Sequence, residues 1–121
     1  MGNAHMYTRK VYREKWNDRN TESEEDMREK TIERKLVEAV KGMGGLAPKF
    51  VSPGFDGMPD RLVLLPGGRI AFVEVKRRGE RPRPLQESRH GLLRRLGFLV
   101  FLLDDAEQIK LILDAMGGDA R

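Results

Sequence analysis

A glycine-rich turn between two apolar runs restricts the fold of this chain more than any other feature. Residues 61–65 and 69–75 have the composition of β-strands, and Pro66-Gly67-Gly68 lies between them. Proline suits the first central position of a type I turn, and glycine suits the left-handed position that closes a three-residue loop. The sequence therefore predicts an antiparallel hairpin in which Leu65 pairs with Arg69.

That register decides how the charged residues at the open end of the hairpin face each other. It places Asp60 opposite Glu74 on one face, whereas a two-residue loop would pair Asp60 with Val75. Strand alternation then puts Lys76 on the same face as Glu74. Two neighbouring carboxylates cost energy unless a cation lies between them, and oxygen ligands of this kind suit Mg²⁺ or Mn²⁺.

The rest of the pattern predicts a single α/β domain with a mixed sheet. Further elements are expected as a helix over 24–41, a strand over 46–51, a helix over 84–96, a strand over 98–103 and a helix over 106–116. Ser23 and Asp26 resemble a capping box for the first helix. The continuous apolar run 98–103 is typical of a strand buried on both faces.

Composition narrows the class of protein further. The chain of 121 residues suits one domain, and it contains no cysteine, which excludes disulfides and thiolate metal sites. No apolar run is long enough to span a bilayer and no secretory segment opens the chain, so we expect a protein of the cytoplasm, in a bacterium or a phage-infected cell. Residues 1–5 resemble a cloning remnant, because His5-Met6 matches a restriction site at a start codon.

The positive charge is concentrated in one stretch. The formal net charge is +4, yet residues 76–95 alone carry eight basic and two acidic side chains. This stretch is either a solvated loop and helix face or a surface that grips a polyanion. His90 lies within it beside arginines, and no nearby residue suggests a zinc site or a nucleophilic pair.

Glu33 is the only charged residue on the apolar face of the first predicted helix. A carboxylate on that face needs a cation, a network of donors or a proton. Either an arginine pairs with it for structural reasons, or it has a functional role.

These residues together resemble the VRR-NUC family of the PD-(D/E)xK nucleases. The matching features, which span about residues 31–113, are Glu33, Gly44-Gly45, Lys49-Phe50, Gly57-Met58-Pro59-Asp60-Arg61, the Pro66-Gly67-Gly68 turn, Phe72-Val73-Glu74-Val75-Lys76 and Pro84-Leu85-Gln86. The resemblance implies a restriction-endonuclease-like αβββαβ core over 31–118. Residues 6–30 are then an extra N-terminal helical segment.

The resemblance also implies roles for individual residues. Asp60, Glu74 and the Val75 carbonyl would bind Mg²⁺ or Mn²⁺, with Glu33 completing the shell directly or through water. Lys76 would orient or deprotonate the attacking water, and Gln86 would hold that water or a phosphate. No small-molecule cofactor or membrane is implied. The basic residues expected to contact DNA are Lys49, Arg61, Arg77, Arg78, Arg81, Arg83 and Arg89.

The sequence-based hypothesis is therefore a metal-dependent endonuclease that cleaves DNA. Compact members of the family that this sequence resembles suggest a homodimer that acts on branched DNA such as four-way (Holliday) junctions. Two other hypotheses stay open. One is a nucleic-acid-binding module without catalysis, and the other is a protein-interaction domain in which the same charged residues form a buried ion network.

Overall fold

The computed structural model describes residues 28–117. Its elements are α1 (Glu29–Gly42), β1 (Arg61–Leu65), β2 (Arg69–Val75), α2 (Pro84–Arg95), β3 (Leu99–Leu103) and α3 (Gln108–Ala115). Three predicted features lie outside the described residues. They are the cloning remnant 1–5, almost all of the extension 6–30, and the capping box of Ser23 and Asp26. No helix within residues 28–117 is both long and apolar enough to cross a membrane.

The sheet is mixed and has β2 at its centre. Strands β1 and β2 are antiparallel and β2 and β3 are parallel, in the order β1-β2-β3. Leu65 pairs with Arg69, so the predicted three-residue loop and its register are confirmed. Gly67 and Gly68 both have positive φ, at 89° and 77°, a conformation that side chains with a Cβ rarely adopt. The α/β class with a mixed sheet is thus confirmed.

The two faces of the sheet are covered by different helices. On one face, Val73 and Val75 of β2 pack against α1 and α3 in the larger apolar cluster. On the other face, Phe72 packs with Val100 of β3 and Leu93 of α2 in a smaller cluster. All five residues from Ala71 to Val75 are buried, which makes β2 the strand that is covered on both sides.

The segment predicted as a strand over 46–51 forms only isolated bridges with β1. Leu46 pairs with Leu64 and Lys49 with Arg61. Pro48 accepts from the Leu62 amide through its carbonyl but has no N–H to return a bond, so the ladder is interrupted there. The prediction of a regular strand is therefore wrong, although the segment does run alongside β1.

The last strand is also less buried than predicted. β3 begins at Leu99, which is 43% exposed, and it has β2 as its only hydrogen-bonded neighbour among the described strands. Only Val100 and Leu103 within it are buried. The expected burial of the whole run is thus wrong: Val100 is buried on the α2 face and Leu103 on the α1 and α3 face, but Leu99, at the outer end of the latter face, stays open.

The C-terminal ends of α1 and α2 agree with the prediction to within one residue, but α1 begins at Glu29 after an extended Arg28, so the start of the helix predicted over 24–41 is wrong. α2 spans Pro84–Arg95 and Gly97 follows with φ of 101°, which agrees with the predicted termination. α3 begins two residues later than predicted, because residues 106 and 107 form a turn in which the Glu107 amide donates to Asp105 Oδ1. α1 ends at Gly42, as expected.

Candidate active site

The open end of the hairpin brings Asp60 next to β2. Arg61 pairs with Val73, so Asp60 lies one step further along, opposite Glu74. Its carboxylate is half-buried, and the backbone N–H of Val75 donates to its Oδ1 atom at 3.1 Å. The carboxylates of Asp60 and Glu74 therefore lie at the same end of the sheet, close enough for Glu74 to raise the pKa of Asp60.

The surroundings of Asp60 change the pKa of its carboxyl group. Burial raises the pKa of the Asp60 carboxyl to about 6, while the hydrogen bond from the Val75 amide opposes that rise. The neighbouring carboxylates of Glu74, Glu33 and Glu29 raise it further. A proton or a cation at Asp60 relieves this repulsion.

Glu74 is the most deeply buried carboxylate of the site, with 3% of the residue exposed. Its Oε2 atom accepts from Gln86 Nε2 at 3.0 Å and lies 3.6 Å from Lys76 Nζ. Its Oε1 atom is buried without a hydrogen-bond partner, and His90 Nε2 lies 3.7 Å from it. One oxygen is therefore held by neighbouring side chains, and the other is free to accept.

Gln86 connects the first turn of α2 to Glu74. Its Oε1 atom accepts from the backbone N–H of Arg83 at 2.8 Å, which turns the amide nitrogen toward Glu74. Pro84 begins the helix with a preset φ, and Gln86 at the third helical position caps the backbone N–H of Arg83. In this structure Gln86 contacts a carboxylate rather than open space for a water or a phosphate.

Lys76 lies just after the end of β2. Its backbone N–H donates to Leu103 O at 2.9 Å, which extends the pairing of β2 with β3 by one step. Only 9% of the residue is exposed, so the stem is packed while the ammonium group points to Glu74. The strand thus places Glu74 and Lys76 on one side, as the alternation predicted.

Glu33 lies close to these groups but is already paired. Arg61 Nε donates to Glu33 Oε2 at 3.0 Å, and Arg61 Nη1 donates to the Ala47 carbonyl. The side chains of Arg61 and Glu33 are only 13% and 18% exposed. The guanidinium of Arg61 is thus turned inward, where it neutralises Glu33, and its expected contact with DNA stays a prediction.

Two groups of the site escaped the sequence-based analysis. Glu29 lies one helical turn before Glu33, and its pKa is raised by burial and by the carboxylate of Glu33. His90 lies one turn after Gln86 and is 4% exposed, so the view of it as an isolated histidine among arginines is wrong. The four-residue spacing of each pair was the available signal.

The basic residues expected to contact DNA fall into two groups. Lys49, Arg77, Arg81 and Arg83 are exposed. Arg78 is instead paired with Asp105 at 2.8 Å, and Arg89 donates to the Asp56 carbonyl and stacks on Phe55, 3.9 Å from the ring centre. Arg77 to Glu80 line an open cavity of about 370 Å³ just after Lys76.

The carboxylate oxygens of Asp60 and Glu74 are ligands of the kind that a hard divalent cation prefers. Glu74 Oε1 is a buried acceptor without a partner, and Asp60 lies in a field of carboxylates that disfavours its own charge. Within residues 28–117 no three acidic or histidine side chains are grouped closely enough to hold an ion by themselves. Mg²⁺ is commonly held by one or two carboxylates with water and substrate phosphate, and two carboxylates meet that need.

Comparison with known proteins agrees with this arrangement. No family model matches the chain. The chain is 50% identical over 90 residues to "Putative nuclease p44" of Acyrthosiphon pisum secondary endosymbiont phage 1, covering 74% of this chain and 96% of that protein. It is also similar to a solved structure described as a VRR_NUC domain, with 34% identity, a TM-score of 0.68, and coverage of 71% of this chain and 94% of that one.

An α/β core with a mixed sheet and paired carboxylates at one end is the arrangement of a PD-(D/E)xK-type nuclease. Within that class, the chain belongs to the VRR-NUC family.

Proposed function

We propose that this protein is a Mg²⁺- or Mn²⁺-dependent endonuclease that hydrolyses DNA phosphodiester bonds. The observation that carries the proposal is the position of Asp60 opposite Glu74, with Lys76 at 3.6 Å from Glu74. Asp60, Glu74 and the Val75 carbonyl would hold the ion, and Glu33 would act on the shell through water because Arg61 occupies its carboxylate. When bound, the ion neutralises the phosphate and lowers the pKa of a bound water.

Other side chains near the ion would then have separate roles in cleavage. Lys76 has a packed stem, so its ammonium group is held beside Glu74, where it can orient or deprotonate the attacking water. Gln86 keeps Glu74 oriented through its hydrogen bond. Exposed Arg77, Arg81 and Arg83 follow directly along the chain and supply positive charge for neighbouring phosphates.

A cleavage assay tests this function. Labelled linear, flapped and four-way DNA would be incubated with Mg²⁺, Mn²⁺ or EDTA, using the wild type and Glu74→Gln. We expect cleavage that needs the ion and is lost in Glu74→Gln, whereas Glu38→Gln on the exposed side of α1 keeps it. Salt-dependent binding without cleavage would identify a binding module, and no ion dependence of any kind would favour the ion-network domain.

We further propose a homodimer that acts on branched DNA. Leu96, Phe98 and Leu99 are 65%, 40% and 43% exposed at the start of the edge strand, where a second copy could cover them. A twofold dimer presents two sites in related orientation, which suits symmetric cleavage of a four-way junction. Light scattering at micromolar concentration tests the dimer. A monomer mass with equal cleavage of linear and four-way DNA would refute it and leave the nuclease assignment intact.

A further inference from the structure

The contact between α2 and Glu74 contains two buried polar atoms that lack partners. His90 Nε2 and Glu74 Oε1 lie 3.7 Å apart, each with almost no accessible surface and no hydrogen bond. A buried donor or acceptor without a partner costs about 1–3 kcal/mol. Such atoms are therefore uncommon in folded proteins, and an adjacent pair of them points to a specific role.

The helix that carries His90 already holds the other oxygen of Glu74. Gln86 and His90 are four residues apart and both are buried, at 7% and 4% exposure, so they share the inward face of α2. Gln86 Nε2 donates to Oε2 at 3.0 Å, and His90 lies against Oε1. Leu93, on the same helix, is buried with Phe72 and Val100 in the smaller apolar cluster.

We propose that His90 is a positioning residue that donates its Nε2–H to Glu74 Oε1 and so fixes the plane of this carboxylate for a divalent cation. Each carboxylate oxygen has two acceptor sites, so Oε1 can accept from His90 and still face an ion. Hydrogen bonds to ligand oxygens raise metal affinity because they hold the ligand in its binding orientation. The inference rests on the proposed function, which supplies the ion.

Two amide substitutions of different length separate this role from simple packing. The amide nitrogen of Gln reaches the position of His Nε2, whereas that of Asn is one methylene shorter. Mn²⁺ affinity would be measured by titration calorimetry at one fixed pH for the wild type, His90→Gln, His90→Asn and Leu93→Ala. Both amide variants remove the same ring, so a difference between them reports the reach of the donor.

We expect His90→Asn to weaken Mn²⁺ binding by about tenfold, in the range found for groups that orient a metal ligand. His90→Gln should keep most of the affinity. Leu93→Ala should lower the melting temperature without changing the affinity, because it alters packing and leaves the donor in place.

Three results would overturn the inference. Equal affinities for the wild type and both amide variants would mean that His90 only fills space. Equal weakening in both variants, with a directly coordinated nitrogen in the electron paramagnetic resonance spectrum of Mn²⁺ bound to the wild type, would make the imidazole a ligand instead. A wild type that binds no Mn²⁺ would refute the proposed function together with this inference, so the two failures are distinguishable.

Discussion

The two faces of the sheet are built from the same strands but serve different ends. On the α1 and α3 face, β2 presents Val73 and Val75, and the cluster around them is entirely apolar. On the α2 face, Phe72 of β2 is followed by Glu74 and Lys76. The side chains of Gln86 and His90 from α2 lie against Glu74. Apart from the Arg61–Glu33 ion pair between β1 and α1, the first face is held by apolar packing, whereas the second ends in a polar network.

This difference shows how a small domain can bury charges without losing its fold. Burial of a carboxylate is costly, and it is tolerated where other groups donate to it. The larger apolar cluster provides the stability, since Leu36, Val40, Val63 and Leu103 are completely buried there. We expect substitutions on the two faces to separate activity from stability.

The largest expected effect is on catalysis at the polar end of the α2 face. Asp60→Asn and Lys76→Ala should each lower the cleavage rate by at least about 100-fold, because each removes charge stabilisation at the reacting phosphate. Circular dichroism should show that both variants stay folded. Asp114→Asn, which changes an exposed carboxylate on α3, serves as the control. Rates close to the wild type in either site variant would contradict the site assignment.

Substitutions on the face covered by α1 and α3 should change the stability of the protein. Leu36→Ala removes a completely buried side chain from α1 and should lower the free energy of unfolding by about 2–5 kcal/mol. Urea denaturation measures this loss, and cleavage per folded molecule should stay unchanged. Leu111→Ala, at a position that is 67% exposed on α3, should change stability by less than about 0.5 kcal/mol. If Leu36→Ala abolished cleavage while folded, the two faces would not be separable.

An ion should stabilise the folded protein through Asp60 and Glu74. Mg²⁺ or Mn²⁺ at a hundred times its dissociation constant should stabilise the wild type by about 2.7 kcal/mol, because it binds the folded state preferentially. Asp60→Asn should lose most of the resulting rise in melting temperature, and Asp114→Asn should keep it. An identical rise in all three proteins would place the ion elsewhere.

Without an ion, Asp60 should make stability depend on pH. The folded pKa, about 6, lies above the usual value of 3.8, so the unfolded state loses its proton first as the pH rises. The contribution of Asp60 is thus fully present below about pH 4 and is lost as the pH passes through 6. Melting in EDTA should show Asp60→Asn to be more stable than the wild type near neutral pH, with the difference vanishing below pH 4. A constant difference across that range would exclude Asp60 as the cause.

The smallest effect is expected at the basic loop after Lys76. Substituting Arg77 and Arg78 by Ala should weaken DNA binding equally for all sequences, and each lost phosphate contact should reduce the salt slope by about one. Arg77 should account for most of it, because Arg78 is paired with Asp105. A double Ala variant of the exposed Lys41 and Lys110 is the control, and fluorescence anisotropy at several salt concentrations gives the slope. A change in base preference would mean that the loop reads sequence.

Local chemistry allowed much of this arrangement to be predicted. The turn residues define the register, so the approach of Asp60 to Glu74 followed from Pro66-Gly67-Gly68. Alternation along β2 then gave the common side of Glu74 and Lys76. The helix ends followed from proline and glycine for the same reason, since their backbone preferences act over a few residues.

Features that depend on contacts between distant segments could not be predicted in this way. Arg61 reaches Glu33 across 28 positions of the chain, and nothing near either residue reveals the pair. His90 becomes part of the site only because α2 packs over Glu74. The exposure of Leu99 likewise depends on how far α1 and α3 extend over its face of the sheet, which the apolar run itself does not specify.

The hairpin turn also has a consequence for how this enzyme can evolve. Surface turns usually tolerate insertions and deletions. Here the turn lies about 17 Å from Asp60, at roughly 3.4 Å for each of five residues. Removing one glycine would shift the strand by one residue and turn Asp60 to the opposite side of the sheet from Glu74. A deletion in this turn would therefore abolish catalysis although it lies far from the active site. The length of the loop should be under the same purifying selection as the acidic residues themselves.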